Sequence, residues 1–171
     1  MEISLLTPRC TLVPGSFFKP DRSRGMLSEV TALRDDDEVK HVEVPQYDAV
    51  LVYASAPDTG TSVVESTVSG GGNPLPEMFY ILRDLGLCGE YNKILCTWRE
   101  GLLFLGIAQG RTLLLANVFE APDFTTAEYF IFLALKQLQL NPEVSTICWR
   151  HPLGAEDEMS LYRYFKAVET L

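Results

Sequence analysis

An α/β fold is the class that the sequence predicts, and three observations in residues 92–170 lead to it. Strand-like runs of similar length follow one another at residues 92–99, 102–108 and 111–118. They are separated by Glu100-Gly101 and Gln109-Gly110, links typical of tight hairpins because glycine supplies a positive φ. An apolar helix, another strand and a last helix come next, at residues 126–139, 143–150 and 156–171. This β-β-β-α-β-α order predicts an antiparallel meander with the fourth strand parallel to its first strand.

Capping and periodicity define the two helices of this half. Thr125 precedes Glu128 by three residues, as in a capping box, and Phe124 is placed to pack against Tyr129. The first of these helices is apolar on all of its own faces, which suits a helix covered by a second layer or by a partner. The last helix is expected to bury one stripe, formed by Leu161, Tyr164, Phe165, Val168 and Leu171.

The first half of the chain shows a short helix and two neighbouring strands. Apolar residues at helical spacing predict a helix over residues 22–33. Residues 39–44 alternate between apolar and polar, as in a strand with one buried face. The continuous apolar run 48–54 has the composition of a buried parallel strand. We expect these two strands to be neighbours in one sheet.

A break in the chain follows this sheet. Residues 58–68 fit both a strand and a helix, and the Ser62-x-x-Glu65 pattern slightly favours the helix. The glycine-rich stretch 69–74 is the strongest break in the sequence and marks the expected boundary between two lobes. A helix is predicted next, with an apolar face formed by Met78, Ile81, Leu82 and Leu85.

Four segments carry a resemblance to a known family. They are LVPGSFF at 12–18, DAVLVYA at 48–54, the stretch 111–143 and LYRYFKAV at 161–168. In these segments the chain resembles an uncharacterised bacterial family with an actin-like ATPase fold. The resemblance implies a ribonuclease H-like second lobe at residues 92–171, preceded by an incomplete first lobe at 1–72 and a connecting helix and loop at 73–91. Compared with the family, the chain looks short at its N-terminal and C-terminal ends, and the family has no agreed activity.

Composition and charge narrow the possible partners. A formal net charge of −9 and a pI near 4.7 argue against a nucleic-acid partner, because phosphate binding needs clustered Lys and Arg. The sequence shows no signal peptide and no apolar run long enough for membrane insertion. Its cysteines are far apart and form no CxxC pair; they are Cys10, Cys88, Cys96 and Cys148. We therefore expect a cytoplasmic protein.

Residues for phosphate chemistry are missing from the hairpin where this fold would place them. Residues 97–102 contain no Asp, and Trp98 and Arg99 stand where small residues and a metal-binding carboxylate are needed. No GK[ST] sequence follows the glycines at 70–72, so a flexible connector explains them better than a phosphate loop does. A ribonuclease H-type nuclease would need carboxylates that converge on two metals, and the meander offers only Glu100. The sequence predicts no catalytic residue and no cofactor.

Three smaller features also have structural explanations. Residues 35–38 are better read as a solvated acidic turn than as a calcium loop, because a third ligand and a glycine are missing from their places. His41 and His151 have no nearby partners at metal-ligand spacing. Cys96 or Cys148 could act as a nucleophile with His151, but thiols in apolar strand runs are usually inert. The sequence therefore predicts no metal site and identifies no small-molecule ligand.

A non-catalytic scaffold or protein-interaction module is the function we favour from the sequence. A degenerate nucleotide-binding relative of actin-like ATPases or kinases is the alternative, and a cryptic enzyme ranks last. Because the chain ends at Leu171, strand 143–150 is expected to lie at an edge of the sheet and to pair with a partner, most simply a second copy. The expected interface residues are Val144, Ile147, Trp149 and Tyr162.

Overall fold

The computed structural model describes residues 4–55, 62–64 and 74–171. The chain divides into two compact units, Met1–Tyr80 and Ile81–Leu171. Within the described residues, no helix is long and apolar enough to cross a bilayer.

In its described residues, the first unit has two three-stranded sheets and a short helix. The strands are β1 Ser4–Leu6, β2 Cys10–Pro14, β3 Glu38–Val44, β4 Ala49–Ser55, β5 Ser62–Val64 and β6 Leu75–Pro76. One sheet has the order β2-β4-β3 and is antiparallel throughout, and the other has the order β5-β1-β6. Helix α1 spans Ser23–Ser28, and helix α2, Glu77–Asp84, leads into the second unit.

Strands β3 and β4 are neighbours, as the sequence predicted, but β4 is antiparallel to both of its partners. Its apolar sequence reflects burial on both faces, since every residue from Ala49 to Ala54 is buried. On one face, Val50, Val52 and Ala54 pack with Leu27 of α1. The prediction of a parallel strand was wrong. A strand that is buried on both faces has a continuous apolar sequence in a parallel and in an antiparallel sheet, so its sequence does not distinguish the two.

Two other predictions for the first unit need correction. The helix predicted at 22–33 is limited to α1, and Leu27 is its only buried residue. The segment that slightly favoured a helix contains strand β5, which pairs antiparallel with β1. The β-branched pair Val63-Val64 suits that pairing. Residues 69–73 lie outside the described part of the chain.

The second unit is built on a five-stranded sheet of strands β7 Asn92–Arg99, β8 Leu102–Gln109, β9 Thr112–Glu120, β10 Thr146–Trp149 and β11 Ala167–Thr170. Their order in the sheet is β11-β10-β7-β8-β9. Strands β7, β8 and β9 form the predicted antiparallel meander, and β10 runs parallel to β7. Helix α3, Phe124–Gln137, makes the crossover, and helix α4, Ala155–Leu161, follows β10. Both the meander and the parallel return are confirmed.

The end of the chain differs from the prediction. Instead of one helix over 156–171, α4 ends at Leu161 and strand β11 follows, parallel to β10. Strand β10 is therefore inside the sheet, between β11 and β7, and does not form an edge. The predicted apolar stripe is only partly buried, because Leu161, Phe165 and Val168 are in the core while Tyr164 and Leu171 are exposed.

Helix α3 begins with a different cap from the predicted one. Asp123 is the N-cap residue, and its Oδ1 accepts hydrogen bonds from the Thr126 backbone N at 2.7 Å and from the Thr126 hydroxyl at 2.9 Å. These hydrogen bonds lower the pKa of Asp123. Thr125 is thus inside the first turn and is not the cap. Phe124 packs against Trp98 and Trp149, at ring-centroid distances of 5.4 and 6.0 Å, as an anchor of the helix on the sheet.

Both faces of the second sheet are covered. Helix α3 packs its buried residues Ala127, Ile131, Ala134 and Leu135 on one face. On the other face, Gly106 of β8 meets α2. A Cβ atom at this position would lie 2.7 Å from Ile81 Cγ2 and 3.6 Å from Leu85 Cδ2. Only glycine lets the helix approach the strand this closely.

Candidate functional site

The β7–β8 hairpin is the place where the fold would hold phosphate, and here it is closed by the segment before α3. Glu100 and Gly101 have positive φ values of 51° and 70°, as a tight two-residue turn requires. The Ala121 N–H donates to the Gly101 carbonyl at 2.8 Å, and the Trp98 indole donates to the Ala121 carbonyl at 2.8 Å. These turn groups are therefore engaged within the protein, and the hairpin carries Trp98, Arg99 and Glu100 in place of the small residues and the aspartate that phosphate chemistry needs.

A charged cluster lies at the carboxyl ends of the parallel strands β7 and β10. Arg99 ends β7, and Arg150 follows β10 with its N–H donating to the Cys96 carbonyl at 3.0 Å. Arg150 Nε donates to Asp84 Oδ2 at 3.0 Å, and Arg83 binds the same carboxylate through Nε at 2.6 Å and Nη2 at 3.0 Å. Because ligands of open α/β sheets bind at the carboxyl ends of the strands, this cluster is the candidate site for an anionic ligand.

Two guanidinium groups decide the charge state of Asp84. Burial alone would raise the pKa of this carboxyl, but the hydrogen bonds from Arg83 and Arg150 outweigh that effect and lower its pKa. Asp84 is therefore a bound anion at neutral pH. It serves as the partner of two cations and is unsuited to act as a general base.

The acidic turn at residues 35–38 is a structural ion-pair site and is only partly solvated. Asp37 is buried, while Asp35, Asp36 and Glu38 are exposed. Both Asp37 oxygens accept from the Arg9 guanidinium, and Oδ2 also accepts from the Arg34 backbone N at 2.7 Å. These bonds lower the pKa of Asp37. The prediction of a solvated acidic turn holds for three of its four residues, and Asp37 departs from it because its carboxylate joins Arg9, which precedes β2, to the turn before β3.

The described residues show no metal-binding cluster, and the Cys96 thiol is not an activated nucleophile. No group of three or more His, Cys, Asp or Glu residues is arranged there to hold a metal ion. His41 is exposed and lies 4.9 Å from the Phe18 ring. Burial raises the pKa of the Cys96 thiol well above its ordinary value, so this thiol stays protonated and unreactive. The glycines at 70–72 lie outside the described residues.

The four predicted interface residues separate into two pairs. Ile147 and Trp149 are in the core, with exposures of 0% and 1%. Val144 and Tyr162 are exposed, at 63% and 50%. The reason given for an interface was an open edge at β10, and that reason is wrong because β11 occupies the edge. Contact of Val144 and Tyr162 with a partner stays a prediction.

An apolar surface on α3 was not identified residue by residue from the sequence. It consists of Tyr129, Phe132, Leu133 and Tyr164, and we call it the α3 surface. Tyr129 and Tyr164 are 61% and 47% exposed, and Phe132 and Leu133 are half-buried. The Phe132 and Tyr164 rings meet edge to face at a centroid distance of 4.9 Å. Side chains from α3 and from the segment after α4 therefore form one continuous surface. The signal in the sequence was the apolar run 129–135, which exceeds what one buried helix face needs.

Comparison with known proteins shows the fold. No curated protein matches the chain. A solved structure from Bacteroides thetaiotaomicron, described as a protein with actin-like ATPase fold and unknown function, matches with a TM-score of 0.73 at 16% sequence identity. The match covers 97% of this chain and 66% of that chain, so this chain spans about two thirds of that protein. The actin-like ATPase fold is thereby shown.

A family model matches the sequence itself. The matched region runs from residue 2 to residue 168, which is nearly the whole chain. The protein therefore belongs to the family of proteins of unknown function DUF3822.

Proposed function

We propose that this protein is a cytoplasmic, non-catalytic interaction module, and that its α3 surface binds a second copy of the chain. The observation that carries the proposal is the second apolar side of α3. One side of the helix fills the core, and the α3 surface lies on another side. Exposed aromatic side chains are enriched in protein interfaces, because they bury a large area at a small cost in conformational entropy.

The geometry of the α3 surface suits a binding site. Phe132 is held between its ring contact with Tyr164 and a stacked contact with Phe165, whose centroid is 5.8 Å away. An aromatic side chain that is already fixed loses little entropy on binding, which is typical of residues that dominate interface energies. At about 25 cal/mol per Å² of apolar area, burial of a few such rings contributes several kcal/mol.

Charge at the ends of α3 favours a twofold arrangement. Asp123 is exposed at the start of the helix, and Lys136 is exposed in its last turn. Two copies with antiparallel α3 helices would bring Lys136 of each copy near Asp123 of the other while the α3 surfaces meet. Interfaces of this kind use the same patch on both subunits, and twofold dimers are the commonest oligomers. Tyr162 precedes Tyr164 by two residues and remains a predicted contact, as does Val144.

Sedimentation velocity over low to high micromolar concentrations tests the proposal. We expect the wild-type chain to dimerise and Tyr129→Arg to weaken the dimer at least about tenfold, which is about 1.4 kcal/mol. The control is Tyr91→Arg, which changes the charge equally at a 70% exposed tyrosine outside the α3 surface. It should dimerise as the wild type does. A wild-type chain that stays monomeric at high micromolar concentration, or equal loss in both variants, would contradict the proposal.

A degenerate nucleotide-binding module is the second candidate. The observation that favours it is the set of basic residues at the carboxyl ends of β7 and β10, namely Arg99, Arg150 and His151. Guanidinium groups bind phosphate oxygens in pairs of hydrogen bonds, although Arg150 already pairs with Asp84. This second candidate ranks below the dimer because one of its cations is already neutralised within the unit.

A further inference from the structure

Strand β9 forms one edge of the five-stranded sheet, and among the described strands it pairs only with β8. An edge strand leaves a row of backbone N–H and C=O groups without a strand partner. The strand has nine residues, and it contains no lysine and no proline, the residues that commonly protect such an edge. Its apolar residues are only half-buried, namely Leu113, Leu114, Leu115, Ala116, Val118 and Phe119. The sheet therefore ends in a long apolar edge.

A bulge interrupts the pairing of β8 with β9. Ile107 and Ala108 are adjacent in β8 and lie opposite Leu115 and Leu113, so Leu114 is the extra residue of β9. Bulges can protect an edge, but this one serves the core, because Leu114 and Leu115 both pack against the cluster that α3 covers. After the bulge, β9 continues in regular register with β8 to its end.

The register with β8 also defines the two faces of β9. Directly opposite residues of antiparallel strands share a face. Ala116 lies opposite Gly106, on the face that meets α2, and the alternation of a strand puts Glu120 on that same face. Phe119 lies on the other face, where its ring stacks on Phe130 of α3 at a centroid distance of 4.7 Å. Ala116, the smallest side chain of the strand, is thus near its centre.

We propose that β9 pairs antiparallel with β9 of a second copy, so that the two sheets join into one across a twofold axis at Ala116. The inference rests on the proposed dimer and names the strand through which it forms. Since opposite residues must share a face, the axis passes through a residue and not between two residues. With Leu114 counted as the bulge, an axis at Ala116 sets Arg111 of each copy opposite Glu120 of the other.

Charge complementarity favours this register. Arg111 immediately precedes β9 and Glu120 ends it, and both residues are exposed. The twofold axis uses each of them twice, so the dimer gains two contacts between opposite charges, which stabilise antiparallel pairs. Leu113 of each copy lies opposite Val118 of the other in the same register, and both belong to the face of Ala116. An axis two residues away would separate both charge pairs.

The α3 helices fit the same arrangement. Helix α3 packs on β8 and β9. Because neighbouring strands are about 4.8 Å apart, a joined sheet places the two α3 helices antiparallel on one face at about 10 Å, a distance typical of packed helices. Leu133 follows Phe130 by three residues, so this part of the α3 surface lies on the side of the helix nearest β9. The strand contact and the helix contact are therefore compatible in one dimer.

Charge reversal tests the register by sedimentation velocity at low ionic strength, where surface charges are least screened. In Arg111→Glu and in Glu120→Arg, both opposite-charge contacts become like-charge contacts, and we expect each variant to dimerise about tenfold more weakly. An equal mixture of the two variants should regain wild-type affinity, because both contacts of the mixed dimer then join opposite charges. Arg22→Glu, at an exposed position in the first unit, is the control for net charge and should dimerise as the wild type does.

The outcomes separate this inference from the proposed function. If Tyr129→Arg weakens the dimer and neither charge reversal does, the β9 contact is overturned while the α3 contact stands. A mixture as weak as its components, or equal weakening by Arg22→Glu, would overturn the antiparallel register. We also expect amide hydrogen exchange in residues 112–120 to slow at concentrations where the dimer forms, and unchanged exchange there would overturn the strand pairing. A wild-type chain that stays monomeric would overturn both proposals.

Discussion

Asp84 is the residue whose environment has the clearest effect on stability. It is 9% exposed and accepts hydrogen bonds from Arg83 and Arg150, which together lower its pKa in the folded protein. A carboxylate with a lowered folded-state pKa stabilises the protein above its unfolded pKa, near 4. That contribution is lost as the pH falls through the folded-state pKa.

Replacement of this carboxylate should therefore have a pH-dependent effect. We expect Asp84→Asn to lower the free energy of unfolding by about 2 kcal/mol at pH 7, since hydrogen bonds to a charged group are lost. The difference from wild type should begin to shrink as the pH falls below about 4, where the carboxyl of the unfolded chain becomes protonated, and should disappear below the lower pKa of the folded protein. Urea denaturation at several pH values measures both quantities. The exposed Asp36→Asn variant is the control, and a gap that is constant with pH would contradict this account.

The N-cap of α3 shows why a local sequence pattern does not determine where a helix begins. Thr125 was the predicted N-cap of α3 because Glu128 completes a capping box, whereas the structure uses Asp123, which is also a good N-cap residue type. The chain instead places Phe124 inside the helix, where it packs against Trp98 and Trp149, and this requires the helix to begin at Phe124. Packing against distant strands decided between two caps that local preference does not separate.

At the scale of elements, strand β11 is the main feature that the sequence did not predict. The spacing of Leu161, Phe165 and Val168 matches a helix, and no proline or glycine interrupts residues 155–171. The observed structure ends the helix at Leu161 because β10 offers an unpaired edge at which Ala167–Thr170 gains a full set of strand contacts. Such pairing connects residues distant in sequence, so a periodicity window cannot detect it.

Two substitutions distinguish a strand from a helix at this position. Val168 is buried and Leu171 is 46% exposed, although both belong to the stripe that a continuous helix would bury. We expect Val168→Ala to destabilise the protein by about 2 kcal/mol, from lost apolar burial and the cavity left behind. Leu171→Ala should change stability by less than about 0.5 kcal/mol. Chemical denaturation measures the free energy of unfolding of both variants. An equal loss of stability in the two would favour a continuous helix.

At the scale of the whole molecule, the order of elements predicted the meander and its parallel return, whereas the actin-like fold was predicted from the resemblance to a known family. The meander, the crossover helix and the parallel return follow from short glycine links and a long apolar helix, both of which are local features. The division into residues 1–72, 73–91 and 92–171 stays a prediction. The apolar run of α3 indicated more apolar surface than one buried helix face needs, but the place of Tyr164 beside Phe132 could not be predicted, because it depends on a contact between distant segments.

A nucleotide titration decides between the two candidate functions. We expect ATP or ADP with magnesium, at millimolar concentration, to leave the melting temperature unchanged, because the β7–β8 hairpin carries Trp98, Arg99 and Glu100 in place of small residues and an aspartate. A ligand present at one hundred times its dissociation constant would stabilise the folded state by about 2.7 kcal/mol, which is easily detected. A clear upward shift that is lost in Arg99→Gln would favour the nucleotide-binding candidate.

The packing of Trp98 and Trp149 around Phe124 also gives the protein an internal optical probe. These are the two tryptophans of the chain, and both lie in the unit Ile81–Leu171. Emission excited at the red edge of the absorption band, where tyrosine does not absorb, therefore reports on this unit alone. Far-ultraviolet circular dichroism reports on the backbone of both units. In a thermal melt, the separation between the emission curve and the dichroism curve will measure how far the two units unfold independently.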